Sequence, residues 1–270
     1  MADETSVALL RDMRAIVERL ERLEVQPRGQ WWGVLSAFLA LPGLRGFWPM
    51  SVFDGSGNAI DVSGHGHTLT YNGNPTYNVT GLAPYLALDG TGDYLSKADD
   101  EDLDILGTEA YVGIPGLTLG GWFYSTDTTN SRGAMSKWDS TGPQRSYALL
   151  LGGAVEGDPV LFYISDDGTN TDNVVSSVGY SASTWTFIAG RFDDSDTGAE
   201  QAVWVNATKT TDTTARAAAF NSTADFLIGG RHGGNDLMTG RASLCFLCAA
   251  AVPDNTISLL YQCSRGLFGV

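Results

Sequence analysis

The feature that most restricts this chain is a change of hydrophobic period. Up to Leu23 apolar residues recur at helical spacing, whereas from Leu44 onward short runs of β-branched and aromatic residues alternate with Gly, Asp, Asn, Ser and Thr turns. That second pattern is the signature of antiparallel strands joined by tight turns. It predicts strands near Leu44–Met50, His67–Tyr71, Tyr85–Leu88, Tyr94–Ser96, Leu117–Ser125, Gly133–Trp138, Ser146–Leu151 and Val160–Ser165. Further strands follow at Val174–Val178, Trp185–Phe192, Gln201–Val205, Phe226–Gly229 and Ala242–Ala249, with a short helix at Ile257–Cys263. No helical crossover recurs between the strands, which excludes a parallel sheet. With 33 glycines, 43% hydrophobic and 17% charged residues, the chain can bury a core and turn often.

The first 28 residues read differently. Leu9, Met13, Ile16, Leu20 and Leu23 are spaced 4, 3, 4 and 3, a heptad seam, and Arg19 and Glu24 fall at the flanking positions where charges pair between helices. Pro27 and Gly29 stop that helix. The expected organisation is a self-association helix over 1–28, an apolar connector over 29–43 and a β-sandwich over 44–270. A homo-oligomer follows, with a trimer as first expectation because Leu10 and Val17 widen the seam. The alternative is one amphipathic helix lying on its own domain.

Charge excludes one class of partner. Residues 1–28 hold six acids against five arginines, so nearly all of the net charge of −15 falls on the β-region, which repels phosphate backbones. Nucleic acid is therefore not an expected partner. The charged N-terminus lacks the apolar core of a signal peptide. The apolar stretch Trp31–Leu44 is too short to span a bilayer, so it reads as a packing segment or short helix, and no membrane contact is expected. Cys245 and Cys248, three apart on a strand, would face opposite ways and make a poor metal clamp; with Cys263 they read as inert thiols.

The order of local motifs brings in a family. GLRGFWPM (Gly43–Met50), DGSGNAIDVSGHGHTLTYNG (Asp54–Gly73), YLALDGTGDYLS (Tyr85–Ser96), LTLGGWFY (Leu117–Tyr124), STWTFIAGRFD (Ser183–Asp193), AVWVNATKT (Ala202–Thr210) and FLIGGR (Phe226–Arg231) precede a closing strand and the ISLLYQC helix. In that order they resemble the laminin-G-like branch of the concanavalin A-like lectin/glucanase superfamily. The resemblance implies an all-β fold, a concanavalin A-like antiparallel β-sandwich or jelly roll, preceded here by the short coiled-coil or amphipathic helix. Two departures stand out. Ala207 replaces the family's hairpin glycine, so that turn must differ. The last strand reads SLCFLC, without the acidic pair that completes a structural calcium site in many relatives. Asp54, Asn58 and Asp61 remain an oxygen-rich loop that could hold calcium or serve only as turn residues; otherwise no cofactor is expected.

Because the superfamily includes glucanases, hydrolysis needs testing. A glycosidase needs two carboxylates set across the scissile bond, and no alternating acidic run occurs on any expected strand. Glu101, Glu109, Glu156 and Glu200 sit in turn-like contexts, and the aspartate clusters at 99–102, 166–167 and 193–196 read as solvated loop charges. His65 and His67 flank Gly66 in a turn and read first as turn residues, with the grip on a transition metal the lesser alternative. No enzyme is expected. The expected role is a virion structural protein of fibre, spike or head-decoration type, assembled in the host cytoplasm beside other virion subunits, with Trp31, Trp32 and Phe38 docking onto a neighbouring subunit. A host glycan would be taken by Trp138, Tyr147, Tyr163 and Tyr180. The alternative is a carbohydrate-binding or adhesion module of a cellular protein.

Overall fold

A computed structural model of the chain describes residues 29–107, 115–196, 198–214, 216–231 and 235–270. The heptad residues Leu9, Met13, Ile16, Arg19, Leu20, Leu23 and Glu24 lie outside the described residues, as do Glu109 and His232.

Among the described residues fifteen strands form two antiparallel sheets. The first holds β13 (Thr208–Asp212), β12 (Gln201–Val205), β11 (Trp185–Phe192), β6 (Leu117–Ser125), β15 (Thr239–Cys248), β4 (Tyr85–Asp89) and β3 (Thr76–Asn78) in that order, with β1 (Leu44–Trp48) also on β15. The second runs β10 (Asp172–Gly179), β9 (Pro159–Ile164), β8 (Gln144–Gly152), β7 (Ser131–Asp139), β14 (Phe226–Ile228), β5 (Tyr94–Lys97) and β2 (Thr70–Asn72). One strand can take three neighbours because β15 is broken by a bulge. Leu244 adopts φ of 48° between Ser243 and Phe246, so Thr239–Ala242 pair with β4 while Cys245–Cys248 pair with β1.

Strand alternation builds the core. From the first sheet Leu119, Phe123, Ile188 and Phe192 point inward, and from the second Tyr147, Leu149, Phe162 and Phe226 meet them. The opposite residues of the first sheet, Trp122, Phe187, Ala189 and Phe246, face outward and are covered by two helices, α1 over residues 29–39 and α2 (Asp254–Phe268). Trp122 stacks on Phe268 at 4.3 Å and its Nε1 donates to Ser264 Oγ at 2.8 Å. Helix α2 starts at Asp254, directly after Pro253, and stops where Gly269 turns left-handed at φ 73°.

Three expectations are corrected here. Residues 29–43 are no free connector, since Val34, Leu35, Phe38 and Leu41 are buried against the sheet. Phe38 docks onto its own domain, stacked on Phe47 at 5.1 Å, and Trp31 packs into the same cluster; only Trp32, 64% exposed, stays available to another surface. The aspartates of 99–102 are not free loop charges: Asp99 pairs with Lys137, and Asp102 with Arg45 and His67, although both carboxylates stay partly exposed. The cysteine reading holds: Cys245 lies in the inter-sheet core and Cys248 under the helices. Burial pushes both thiols well above their ordinary range. At the β12–β13 hairpin Asn206 takes the left-handed φ of 54°, so Ala207 does not need a glycine's freedom.

Candidate functional site

The chain crosses from one sheet to the other between β2 and β3, and that crossing forms a cleft at the sandwich rim. Its volume is about 330 Å³, and Ser56, Gly57, Tyr71, Gly73, Asn74, Pro75 and Tyr77 line it. Tyr71 is on the edge strand of the second sheet and Tyr77 on the edge strand of the first. Tyr71 is 38% exposed, and Phe53, 42% exposed, stacks on Tyr77 at 4.7 Å beside the cleft.

Two carboxylates hold this geometry, Asp93 buried and Asp54 nearer the surface. Asp93, from the GTGD turn, accepts the Asn74 amide at 2.8 Å and the Asp89 amide at 3.1 Å, fixing one wall. On the other wall Asp54 accepts the Ser56 and Asn58 amides at 2.8 and 3.0 Å and the Asn58 side chain at 2.9 Å. Those bonds, the Asn58 amide first, hold the Asp54 carboxyl below its ordinary range. Tyr77 donates its hydroxyl to Gly57 O at 2.9 Å, and burial with the Asp54 charge pushes its phenol up to about 12. It is a neutral donor at any physiological pH.

The predicted cation loop does not assemble. The Asp54 carboxylate is spent on its own turn, while Asp61 accepts from the Phe47, Ser63 and His67 amides and from the Ser63 hydroxyl. Asp54, Asn58 and Asp61 therefore act as turn and anchor residues, which is what carboxylates beside Gly and Ser do when backbone amides reach them first.

The predicted sugar residues divide. Tyr147 points into the inter-sheet core, fully buried, donating to Leu103 O at 3.0 Å, and Tyr180 is 5% exposed, donating to Asp127 O at 2.9 Å. Neither offers a ring face, which corrects the expectation for both. Trp138 and Tyr163 do face outward, on the second sheet, packed edge to face at 5.8 Å. Trp138 borders a polar hollow of about 310 Å³ with Ser140, Arg231, Asn235 and Asp236, but it is itself only 5% exposed. Sequence reasoning missed Phe53, Tyr71 and Tyr77. The available signal was the tripeptide Thr-Tyr-Asn, which stands at 70–72 and again at 76–78 around Gly73-Asn74-Pro75.

A laminin G family model, described as concanavalin A-like lectin/glucanases superfamily, matches residues 89–243, more than half of the chain. The chain belongs to this superfamily. Solved structures of similar fold include domain 4 of AbnA, a GH43 extracellular arabinanase from Geobacillus stearothermophilus, in complex with arabinotriose. It is 15% identical with a TM-score of 0.61, over 82% of this chain and all of that one. The binding domain of Paraclostridial Mosquitocidal Protein 1 matches at 11% identity and TM-score 0.58, over 81% of this chain and 52% of its own. The receptor binding domain of botulinum neurotoxin C/D mosaic serotype matches at 10% identity and TM-score 0.58, over 82% and 51%. The chain thus spans about half the length of these two toxin binding domains. At such identities the likeness shows the superfamily fold alone. No curated protein matches by sequence. The two toxin neighbours are binding domains by name, and the arabinanase domain is in complex with arabinotriose. Among the described residues no helix is long and apolar enough to cross a membrane.

Proposed function

We propose that this chain is a non-catalytic carbohydrate-binding module whose ligand lies in the rim cleft between β2 and β3. The observation that carries this reading is the exposure of two aromatic rings, Tyr71 and Phe53, beside the polar groups of Ser56 and Asn74. A sugar offers an apolar face of C–H bonds and a rim of hydroxyls, so a site for it needs a ring to stack on and convergent donors and acceptors. Asn74 supplies both, Ser56 a hydroxyl, and the walls are already held by Asp93 and Asp54. The arabinotriose held by the arabinanase domain supports the choice of ligand class.

A glycan array followed by calorimetry with the hits tests the site. Tyr71→Ala should weaken binding about tenfold or more, as expected for losing one stacked ring, and Phe53→Ala somewhat less. Trp138→Ala should leave affinity unchanged. Retained affinity in Tyr71→Ala and Phe53→Ala, or an array without any hit, overturns the reading.

A second proposal concerns where the module is displayed: on a virion, as a fibre, spike or head-decoration protein assembled in the host cytoplasm and oligomerised through residues 1–28. The heptad seam supports it, and so do Trp32 and Leu39, 64% and 44% exposed on the outer side of α1, directly after that segment. Light scattering on the full chain and on a form lacking residues 1–28 should give an oligomer, trimeric by preference, and a monomer. A monomer in both cases removes this proposal and leaves the glycan site standing.

A further inference from the structure

Two histidines of one turn meet an aspartate 35 residues beyond the second of them, beside Arg45 of β1. His67 Nε2 lies 3.1 Å from Asp102 Oδ2, and His65 Nδ1 lies 2.9 Å from the same oxygen. The two imidazoles are nearly parallel, 12° apart with centroids at 6.2 Å, and the three donor atoms all fall within 4.8 Å of one another. We propose that His65, His67 and Asp102 form a binding site for a borderline divalent transition metal of the zinc class.

The backbone fixes the ligands independently of any ion. The His67 amide donates to Asp61 at 3.0 Å, and its carbonyl accepts Trp48 Nε1 at 2.8 Å, so the residue is tied to the core on both sides. Gly64 and Gly66, each directly before a histidine, take φ of 95° and 83°, a backbone that lets His65 and His67 present nitrogens to one point. Asp102 stands on a 3₁₀ turn, Glu101–Leu103, capped by the Asp100 side chain. Arg45 lies 3.3 Å from Asp102 Oδ1, which leaves Oδ2 toward the imidazoles.

Hydrogen bonding alone leaves His67 incompletely explained. Its side chain is 4% exposed, and its Nδ1 is buried without a hydrogen-bond partner. The nearest acceptor, Asp100 Oδ2, is 3.7 Å away. A metal-bound histidine gives one nitrogen to the ion and turns its other N–H to a carboxylate; Asp100 stands on the Nδ1 side of His67 but is not hydrogen-bonded to it in this structure. Ligand distances of about 2.0–2.2 Å put tetrahedral donors roughly 3.3 Å apart, so an ion needs Asp102 and each ring to part by a few tenths of an ångström and the two imidazole nitrogens, now within 4.8 Å, to take that same spacing. Side-chain exposures of 29% for His65 and 37% for Asp102 give it a way in and leave water as a fourth ligand. Two nitrogens and one oxygen suit zinc, nickel or copper and not calcium, which demands six or more oxygens. The charges of Arg45 and Lys97, the latter 3.6 Å from Asp100, offset those of Asp102 and Asp100, so affinity should fall below that of a four-ligand structural site.

The test uses the tag-free full chain, stripped with a chelator and titrated calorimetrically with zinc, nickel, calcium and magnesium chlorides. Zinc should bind one equivalent, release protons and raise the melting temperature, while calcium and magnesium give no saturable heat. His67→Ala removes a buried ring and can unfold the region, so the decisive variants are His65→Ala and Asp102→Asn, each checked for native circular dichroism. Both should weaken zinc more than tenfold, and Asp100→Asn about 10- to 100-fold through the His67 N–H. Cobalt should give the intense visible absorption of a tetrahedral site, absent in His65→Ala. Zinc binding equal in the wild type and folded His65→Ala overturns the site, as does calcium competing zinc away at equal concentration.

Discussion

The two sheets of this sandwich are finished in different ways. The eight-stranded sheet is buried on both faces: its outer side carries Trp122, Phe187 and Phe246, and α1 and α2 lie over them with Phe38, Tyr261 and Phe268. A deeply buried cation there, Arg191, is held by Asp254 at 2.6 Å over the Trp204 ring. The seven-stranded sheet, among the described residues, carries on its outer face a small cluster of Trp138, Ala148, Leu150 and Leu161 with Tyr163 against it. It is pinned instead by polar groups, such as Ser136 Oγ on Gly230 O and Lys137 Nζ on Ala224 O at 2.8 Å. Aromatic cover is non-directional and scales with area, whereas polar pins act one contact at a time and fail abruptly when a partner is lost. The rim cleft lies where the edges of these two sheets meet.

The comparison predicts its largest effect at Trp122. Trp122→Ala empties the space beneath α2 and leaves Ser264 without its donor, and should cost about 3–5 kcal/mol. Trp138→Ala, at the thinner outer cluster, should cost about 1–3 kcal/mol. Chemical denaturation of both variants measures the difference; equal losses would mean that the two outer faces do not differ in the way described.

The same contrast explains what could be read from sequence. Leu117–Ser125, Trp185–Phe192 and Gln201–Val205 match their predicted bounds, since each is an apolar strand in the interior of its sheet. Thr76–Asn78 and Thr208–Asp212 escaped prediction because both are edge strands, polar and threonine-rich, with a neighbour on one side only. Helix α2 runs from Asp254 to Phe268, beyond the predicted Ile257–Cys263, because Ser264, Leu267 and Phe268 are apolar-facing only once Trp122 is there to receive them. Tyr147 was misassigned although alternation places it with Leu149 and Leu151, which face inward. The cleft escaped because its rings come from two sheets, and the Asp102 partner of the two histidines because it lies 35 residues from His67. Pairings of that range are set by topology and leave no local period.

Lys137 tests the polar side of the comparison. It is fully buried on the inner face of the seven-stranded sheet, beside Phe226 and Tyr147 in the ladder, with Asp99 at 2.5 Å and Asp104 at 3.2 Å. Burial raises the Asp104 carboxyl in spite of the ammonium beside it. Lys137→Met strands Asp104 without a cation and should cost about 3 kcal/mol by urea denaturation. Because a raised carboxyl loses stability as pH climbs from its unfolded value through its folded one, the variant's loss should be greatest above that window and shrink toward pH 4. Adding Asp99→Asn and Asp104→Asn should recover most of it. A variant as stable as wild type at neutral pH would show that apolar packing, and not the ion cluster, closes this sheet.

The smallest effect belongs to the joint between the sheets. Asp127 sits in the turn from β6 to β7, where the chain leaves the helix-covered sheet for the pinned one. Burial alone would raise its carboxyl, but bonds from Thr129, Asn130 and Arg132 outweigh it and hold the group well below the ordinary range. A depressed carboxyl contributes stability that is present above its unfolded value and lost as pH falls through the folded one. After solvent screening this amounts to about 1 kcal/mol, or roughly 2–4 °C of melting temperature in a chain of this size. Melting curves taken between about pH 6 and pH 2 should show that loss in wild type and a flatter acid limb in Asp127→Asn. If the two limbs run parallel, the joint carries no charge-dependent share of stability, and the two sheets are held together by their shared core alone.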